Sequence, residues 1–460
     1  MVGYVALLRR NRNFRRLWYG QVVSQLGDWL DSIALFTLML RLTGSGQAVG
    51  LLLLAEFLPG AVVGPFAGII VDRLPRKLVL IASDLGRAAL VLLLLFVHSP
   101  ADLWLLYVAV IAKMGLAACF EPARSSIIPS LCTREELVAA NAISGATWSA
   151  MLALGAALGG LVAGTLGVTA AFLLDSLSFA LSAALIATVR VDERGTKDTD
   201  PRGGKLEPSG EHAPQVFYHE AHEAHEGRTA ADYAPCPAKT PVQPNVRPSS
   251  TLVHQVVDEL REGLTYVFAH RELAWLTFNK AIWSLGGGVL LLLTLFGREV
   301  FPIGRDGAIS IGLLYAARGV GAGLGPLLAL RLGGNGDTFL RRAVGGAFLI
   351  TGLGYAALSS TRSLPLAALA VLFAHIGGSI QWVFSTALLQ TRVPDRLRGR
   401  VFATEYAALT LTTGLSAYAT GLVRDAGVAP WALALGLAGI FGAAGALMLV
   451  VLWRGSPKAA

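Results

Sequence analysis

Long apolar runs separated by short polar gaps dominate the pattern of this chain. Because a helix needs about 20 mostly apolar residues to cross the hydrocarbon of a bilayer, each such run predicts a membrane span. Six runs precede residue 192 and six follow residue 270. They cover residues 17–41, 48–71, 78–97, 102–121, 138–165, 170–190, 273–297, 308–330, 342–360, 364–390, 402–423 and 431–453. The pattern predicts an all-α integral membrane protein with twelve transmembrane helices.

The two groups of runs predict two six-helix bundles, one in residues 1–191 and one in residues 272–460. The segment between them has a different composition. Residues 192–250 are rich in Pro, Gly, Glu and His and have no apolar period, which is typical of a disordered linker, here placed in the cytoplasm. Residues 251–271 regain an amphipathic spacing and predict a helix lying on the inner membrane face.

The two halves resemble each other weakly. The second span reads GLLLLAEFLPGAVVGP (50–65) and the eighth reads GLLYAARGVGAGLGP (312–326), which aligns Glu56 with Arg318. Chance similarity among Gly- and Leu-rich helices is the alternative. Two pseudo-symmetric bundles joined by a linker are typical of a transporter that binds its cargo at the interface of the repeats.

Composition excludes several classes of protein. The chain is 54% hydrophobic and 15% charged, with a mean hydropathy of +0.58, whereas soluble domains carry about 25% charged residues. Three cysteines without zinc-ligand spacing exclude a disulfide scaffold. The net charge of +8 arises from bases in the gaps between spans, so nucleic acid is not an expected partner. The basic residues concentrate before the first span and in alternate gaps. Because cytoplasmic loops carry an excess of Lys and Arg, this predicts that both termini lie in the cytoplasm. The predicted location of the protein is the inner (plasma) membrane of the cell. A cleaved signal peptide is disfavoured, because the first run is long and charged.

The gap between the second and third spans reads GIIVDRLPRK. It resembles the signature loop of the major facilitator superfamily. The matching residues are Gly68, Asp72, Arg73, Arg76 and Lys77, and Pro75 replaces the family's glycine. The resemblance implies a conformational latch, in which an acid and several bases pair across helix ends in one state and release in the other.

The fifth span contains GAALGG (155–160), which is similar to the antiporter signature of the superfamily, with Ala156 in place of its proline. The small residues Gly155, Gly159 and Gly160 allow neighbouring helices to approach closely. Other stretches, including SQLGDWL, DSLSF and VPDRLRGRV, resemble the branch that contains macrolide efflux and enterobactin export proteins. This resemblance implies alternating access, with cargo export driven by proton entry.

Ionisable residues inside the spans are candidate functional groups, because each costs about 2.5–3.5 kcal/mol at mid-membrane on insertion scales. They are Asp28, Asp31, Glu56, Lys113, Asp175 and Arg318. We predict that Asp28, with Asp31 beside it, binds the coupled proton; the alternative is that Asp28 bonds a neighbouring helix and never titrates. Lys113 is a candidate partner for these acids.

A pair between Glu56 and Arg318 across the bundle interface is a further candidate. The alternative is that each of the two pairs within its own bundle. Aromatic and polar side chains are candidates for lining an apolar cavity of the kind that drug-sized ligands prefer. They are Gln25, Trp29, Trp283, His375 and Trp382.

The linker contains HEAHEAHE (219–226), which is a weak metal-binding pattern, and an ordinary disordered tract is the favoured interpretation. The sequence predicts no metal and no cofactor site. It predicts a monomeric, proton-coupled exporter of an amphipathic small molecule, drug-like or siderophore-like, whose partners are its cargo, protons and the lipid bilayer. The alternatives are a lysophospholipid or lipid carrier, and a non-transporting sensor that uses the His-rich linker. An enzyme is disfavoured, because no nucleophile–base set or phosphate loop occurs.

Overall fold

The structure is a computed structural model that describes residues 4–133, 135–190, 252–334 and 336–454. Within these ranges the backbone is mostly helical and contains no strand. The predicted linker at 192–250, with its histidine tract, lies outside the described residues.

Six long helices form the first half, after a short helix α1 (Tyr4–Arg10). They are α2 (Arg12–Thr43), α3 (Gly46–Arg73), α4 (Arg76–Leu93), α5 (Leu103–Leu131), α6 (Leu137–Thr165) and α7 (Val168–Ala187).

The second half begins with α8 (Leu252–Ala269), the helix predicted at 251–271. Then follow α9 (Arg271–Ser284), α10 (Val289–Leu295), α11 (Ala308–Gly333), α12 (Asp337–Ser359), α13 (Leu364–Arg392), α14 (Asp395–Asp425) and α15 (Pro430–Arg454). Helices α9 and α10 form one span that is interrupted at residues 285–288, where three consecutive glycines lie.

The predicted twelve-span architecture is confirmed. Among the described helices, nine spans are long and apolar enough to cross a membrane by length and composition. The remaining three, α2, α12 and α14, have 32, 23 and 31 residues, which is long enough to cross. Polar and charged residues lie along these three helices, so their hydropathy is lower. Each of the three packs against other helices of the protein, which can cover its polar residues.

A tight turn reverses the direction of the chain after α2. Between α2 and α3 the turn is two residues long. Gly44 adopts a left-handed conformation (φ +62°) and its N–H bonds to the carbonyl of Leu40 at 2.9 Å, which ends α2. The Ser45 hydroxyl accepts a hydrogen bond from the Ala48 N–H at 3.1 Å and caps α3.

The helix pairs of one half recur in the other. In the first half α2 packs on α6 and α7, α3 packs on α5, and α4 packs on α5 and α7. In the second half the span α9–α10 packs on α14 and α15, α11 packs on α13, and α12 packs on α13 and α15. Span by span these are the same pairs, so the fold is two pseudo-symmetric six-helix bundles.

The two halves meet where α3 packs on α14 and α6 packs on α11. Glycines permit backbone contact there: an added Cβ would lie 2.7 Å from the Ala417 oxygen at Gly50, and 2.8 Å from the Cα of Gly312 at Gly160. Towards the other ends of α3 and α6, an added Cβ at Gly64 or Gly145 would meet nothing within 4 Å. The halves are therefore in backbone contact at one end of the molecule, and no such contact occurs at Gly64 and Gly145 towards the other end.

We call these the closed end and the open end. The closed end comprises residues 44–50, 156–167, 301–312 and 414–429. The open end comprises the opposite helix ends, which carry most of the basic residues of the gaps.

Candidate functional site

A buried group of charges lies in the first half, with Lys113 of α5 at its centre. The ammonium of Lys113 forms ion pairs with Asp28 and Asp31 of α2 and with Asp175 of α7. The Nζ atom lies 3.5 Å from Asp28 Oδ1 and 3.6 Å from Asp175 Oδ2, and the contact with Asp31 is the shortest of the three. Lys113, Asp31 and Asp175 are buried, whereas 32% of the Asp28 side chain is exposed. We call these four residues the Lys113 cluster.

Arg87 of α4 extends the Lys113 cluster. Its Nη1 lies 3.5 Å from Asp28 Oδ2, and its Nη2 pairs with Asp84 one turn earlier on the same helix. The second oxygen of Asp84 accepts a hydrogen bond from the Ser182 hydroxyl at 2.6 Å. Four carboxylates therefore share two bases.

Aromatic rings surround the two bases. The guanidinium carbon of Arg87 lies 4.7 Å from the ring centre of Phe120 and 4.3 Å from that of Phe179. The Lys113 ammonium lies 5.6 Å from the Phe179 ring centre. Cation–π attraction supplements the ion pairs at such desolvated sites.

Local sequence positions the acids of α2 and α7 next to each other. Asp28 and Asp31 are three residues apart, so they lie on one face of α2. Gly27 lets α7 approach that face, since an added Cβ would lie 1.9 Å from Ser178 Oγ and 2.3 Å from Asp175 Oδ1. A side chain at this position would displace Asp175 from Lys113.

Two carboxylate oxygens of the Lys113 cluster, Asp31 Oδ1 and Asp175 Oδ2, are buried and have no hydrogen-bond partner among the described residues. A buried ionised oxygen without a donor carries the cost of its lost hydration. A proton bound at either carboxylate would remove that cost, so the arrangement is chemically suited to take up and release protons.

Glu56 and Arg318 do not pair in this conformation. No described carboxylate lies within ion-pair distance of Arg318, whose recorded interaction is with the ring of Tyr315, 5.8 Å from the guanidinium carbon. Both side chains are half-buried.

A second buried ion pair lies in the other half, between Lys280 of α9 and Glu405 of α14 at 3.0 Å. The Lys280 ammonium also donates to the Thr386 hydroxyl at 2.8 Å and lies 4.6 Å from the ring centre of Trp382. This pair joins three helices of the second bundle.

Sequence reasoning missed four of these ionisable residues: Asp84, Arg87, Lys280 and Glu405. All four lie inside predicted spans, at 78–97, 273–297 and 402–423. Applying the cost of a charge in the membrane to every span would have found them.

The candidate cavity residues of the first half are only partly buried. Gln25 lies one turn before Asp28 on α2, and Trp29 lies between Asp28 and Asp31. Trp29 packs edge-on against Trp148 of α6 with 6.3 Å between ring centres. In the second half, 43% of Trp382 is exposed.

Trp283 and His375 instead belong to an aromatic group inside the second half. Their ring centres lie 6.5 Å apart, and Trp283 also packs on Phe441 at 5.8 Å. The imidazole Nε2 of His375, which is 5% exposed, is hydrogen-bonded to the Tyr355 hydroxyl at 2.8 Å. In this conformation His375 is a buried side chain with a protein partner.

Two basic residues of the signature loop donate hydrogen bonds to backbone carbonyls near the ends of other helices. Arg76 Nη1 donates to the Ser126 carbonyl at 2.8 Å, and Lys77 Nζ donates to the carbonyls of Ala187 and Val189 at 2.7 and 2.8 Å. Arg73 is exposed. The side chain of Asp72 and the surroundings of Gly68 lie outside the described part of the structure.

The glycines of the fifth span are contact points. An added Cβ would lie 2.8 Å from Trp29 Cβ at Gly155 and 2.9 Å from Leu30 Cα at Gly159, so both bring α6 onto α2. Gly160 makes the contact between the halves described above.

Hydrogen bonds hold the halves together at the closed end. The carboxylate of Asp425, at the end of α14, accepts from the Ser45 hydroxyl at 2.5 Å and from the N–H groups of Gly46 and Gln47 at 2.7 and 3.0 Å. Gln47 Nε2 also donates to the Tyr418 hydroxyl at 2.9 Å. These four hydrogen bonds join the start of α3 to the end of α14 across the interface of the halves.

The hydrogen bonds that Asp425 accepts lower the pKa of its carboxyl group. Partial burial acts to raise its pKa, but the three hydrogen bonds and the neighbouring Arg424 outweigh that effect and hold the pKa below its usual range.

Comparison with known proteins gives the same family across the chain. The model of the Major Facilitator Superfamily matches residues 17–403, which is more than half of the chain. An uncharacterized MFS-type transporter of Bacillus subtilis is 30% identical over 181 residues, 39% of this chain and 43% of the relative. Macrolide efflux protein A of Streptococcus pyogenes is 26% identical over 186 residues, 40% of this chain and 46% of the relative. The chain thus spans less than half the length of these two relatives.

Solved structures share the fold. The crystal structure of a D-xylose–proton symporter matches with a TM-score of 0.65, covering 99% of both chains at 15% sequence identity. At that identity the likeness concerns the fold alone.

Proposed function

This chain belongs to the major facilitator superfamily, and from that premise we propose that it is a proton-coupled exporter of an amphipathic small molecule. It is a multi-pass membrane transporter. In the proposal it works as a monomer in the inner (plasma) membrane by alternating access. The moving bodies are the bundles of residues 1–191 and 272–460, joined on the cytoplasmic side by residues 192–250 and α8.

The observation that carries the proposal is that Lys113 is shared by three carboxylates on two other helices. A proton that binds Asp28 or Asp31 weakens the attraction of that acid for Lys113, and α2 is then held less firmly against α5. Asp28 is the entry point for the proton, because it is the partly exposed member of the Lys113 cluster. Asp31 is the acid whose pair with Lys113 responds.

Helix α2 is suited to pass this change to the other half. It carries both acids, and near its other end the ring of Phe36 packs on the ring of Tyr315 of α11, with 5.8 Å between centres. A shift of α2 relative to α5 therefore acts on a contact between the bundles. Coupling of this kind needs an element with two arrangements that both sites bias.

The open end faces the cytoplasm in this proposal, because basic residues of the gaps concentrate there. The structure then represents an inward-open state. Export requires the closed end to separate while the open end closes. The similarity to macrolide efflux protein A supports export rather than uptake, and an amphipathic cargo.

The test is macrolide-driven proton flux into proteoliposomes, followed with an internal pH dye and erythromycin as the probe. The wild-type protein should show flux that depends on erythromycin. Asp28→Asn and Asp31→Asn should each abolish the proton-linked part while expression and melting temperature are retained. Glu135→Gln removes an exposed carboxylate in the gap between α5 and α6 and should leave the flux unchanged.

Undiminished, pH-sensitive transport in both Asp variants would refute the coupling site. Wild-type protein that moves no protons with erythromycin would contradict a macrolide cargo. Loss of flux in the Glu135 control would show that the effect is not specific to the Lys113 cluster.

A further inference from the structure

Arg318 is exceptional among the bases deep inside the described spans. Arg87, Lys113 and Lys280 each contact at least one carboxylate. The guanidinium of Arg318 lies over the ring of Tyr315, and none of the described acids lies within 4.0 Å of it. A charged residue at this depth is costly and marks a functional site by default.

Arg318 lies near the side of α11 that borders the first half, because its neighbours on that helix contact the first half. Tyr315, one turn earlier, packs on Phe36 of α2. Gly319, the next residue, approaches α6 so closely that an added Cβ would lie 2.5 Å from the Ala153 nitrogen. Contacts with the first half therefore flank Arg318 on its own helix, and its half-buried guanidinium lies near the interface where transporters of this repeat type bind cargo.

The repeat places an acid at the equivalent point of the other half. Gly50 and Gly312 are aligned, and both are backbone contact points between the halves. Six residues further along, Glu56 of α3 corresponds to Arg318 of α11. Glu56 also forms no ion pair with a described residue, so two unpaired charges of opposite sign occupy matching sites.

These two charges differ in one chemical respect. A carboxylate becomes neutral by binding a proton, whereas a guanidinium stays charged at any accessible pH. When the bundles close around a bound cargo and exclude water, Glu56 can therefore lose its charge by binding a proton. Arg318 keeps its charge, so a nearby anion is required to offset the cost of excluding water from the guanidinium.

We propose that Arg318 binds an anionic group, such as a carboxylate, sulfate or phosphate ester, on the amphipathic cargo. The planar guanidinium presents paired N–H donors that match two oxygens of such a group. The inference rests on the proposed transport function and narrows its cargo within the amphipathic class: a molecule with an acidic group is bound in preference to the same molecule without it. Erythromycin has an amine and no acidic group, so transport of that probe tests the proposed function and not this preference.

The test is equilibrium binding of two dyes that differ in one carboxylate, tetramethylrhodamine and its methyl ester. Binding to purified full-length protein is measured by fluorescence anisotropy in nanodiscs of phosphatidylcholine alone, so that anionic lipid headgroups do not compete. Dansylglycine and its methyl ester form a second pair on another scaffold. Nanodiscs containing phosphatidylglycerol test whether a lipid headgroup is the ligand instead.

Wild-type protein should bind each acid about tenfold more tightly than its ester, the difference expected of one desolvated ion pair. Arg318→Gln should remove the preference, and Arg318→Lys should keep part of it. Arg362→Gln, which removes an exposed charge from the gap between α12 and α13, should leave the preference intact.

Equal binding of acid and ester by the wild type, absence of acid binding, or a preference that persists in Arg318→Gln would overturn the proposal. So would loss of the preference in phosphatidylglycerol with no effect of Arg318→Gln. Asp31→Asn separates this inference from proton coupling: it should lose proton flux but keep the preference for the acid.

Discussion

Replacement of Asp425 by asparagine should open the closed end. The carboxylate accepts three hydrogen bonds at the start of α3, two of them from backbone N–H groups, and it belongs to the opposite half. It therefore acts as a helix cap supplied across the interface. Losing a capping side chain costs about 0.5–2 kcal/mol, and we take about 1 kcal/mol because the site is exposed and screened. This shifts the ratio of closed to open molecules about fivefold.

The assay is a distance distribution between two spin labels in protein freed of its native cysteines. Labels at Leu166 and Ile303 suit this purpose, because both side chains are exposed and lie at the closed end in different halves. The wild type should populate mainly the short distance. In Asp425→Asn the long-distance population should rise about fivefold.

Asp102 supplies a matched control. It accepts hydrogen bonds from the N–H groups of His98 and Ser99 and from the Ser99 hydroxyl, at 3.1, 2.9 and 2.9 Å, all within one loop of one half. Asp102→Asn removes the same kind of contact without crossing the interface, so it should leave the distances unchanged. Unchanged distances in Asp425→Asn, or an equal change in Asp102→Asn, would refute the reasoning.

Acid should reproduce the effect of Asp425→Asn. The pKa of Asp425 in the folded protein lies below its usual value of 3.8, because the three hydrogen bonds outweigh partial burial. Its contribution is therefore complete above that usual value and is lost as pH falls through the lowered one. The closed population of the wild type should not change with pH near neutrality, where Asp425 is ionised, and should fall in strong acid. Asp425→Asn should lack that acid transition.

Two further predictions concern packing inside and between the bundles. Lys280→Met leaves Glu405 buried without its base, which should destabilise the protein by about 3–5 kcal/mol and lower its melting temperature. The double variant Lys280→Met with Glu405→Leu should recover most of that loss, and a double variant as unstable as the single one would contradict the ion-pair explanation. Gly160→Val would place a Cβ 2.5 Å from the Ala308 oxygen, so the spin-label distances at the closed end should lengthen. Gly436→Val, where an added Cβ meets nothing within 4 Å, should leave them as they are.

Much of the fold followed from the spacing of apolar residues. Eleven of the twelve predicted spans correspond to single long helices, and the seventh corresponds to α9 followed by α10. The bilayer sets the length of a membrane helix, and that length can be counted along the sequence. Even the break in the seventh span coincides with a visible run, Gly286 to Gly288.

The candidate site could be predicted only in part from the sequence. Asp28, Asp31, Asp175 and Lys113 were each conspicuous as charges in apolar runs, but their convergence was not. It depends on α5 and α7 packing beside α2, and on Gly27 allowing the approach of Asp175. Glu56 and Arg318 were only candidates for a pair across the interface, with pairing inside each bundle as the alternative. Their equivalent positions in the repeat lie in opposite halves and do not pair in this conformation.

The sequence by itself determined that this is a membrane protein, how many times it crosses, that it folds as two similar bundles and which side chains are too polar for lipid. These properties depend on each residue's own cost of transfer from water, which neighbours change little. Only the tertiary structure decided which charges share Lys113, that no described carboxylate lies within ion-pair distance of Arg318, and that Asp425 caps α3 from the opposite half. Those properties depend on distances between residues remote in sequence, and electrostatic and hydrogen-bond energies change steeply over a few ångströms.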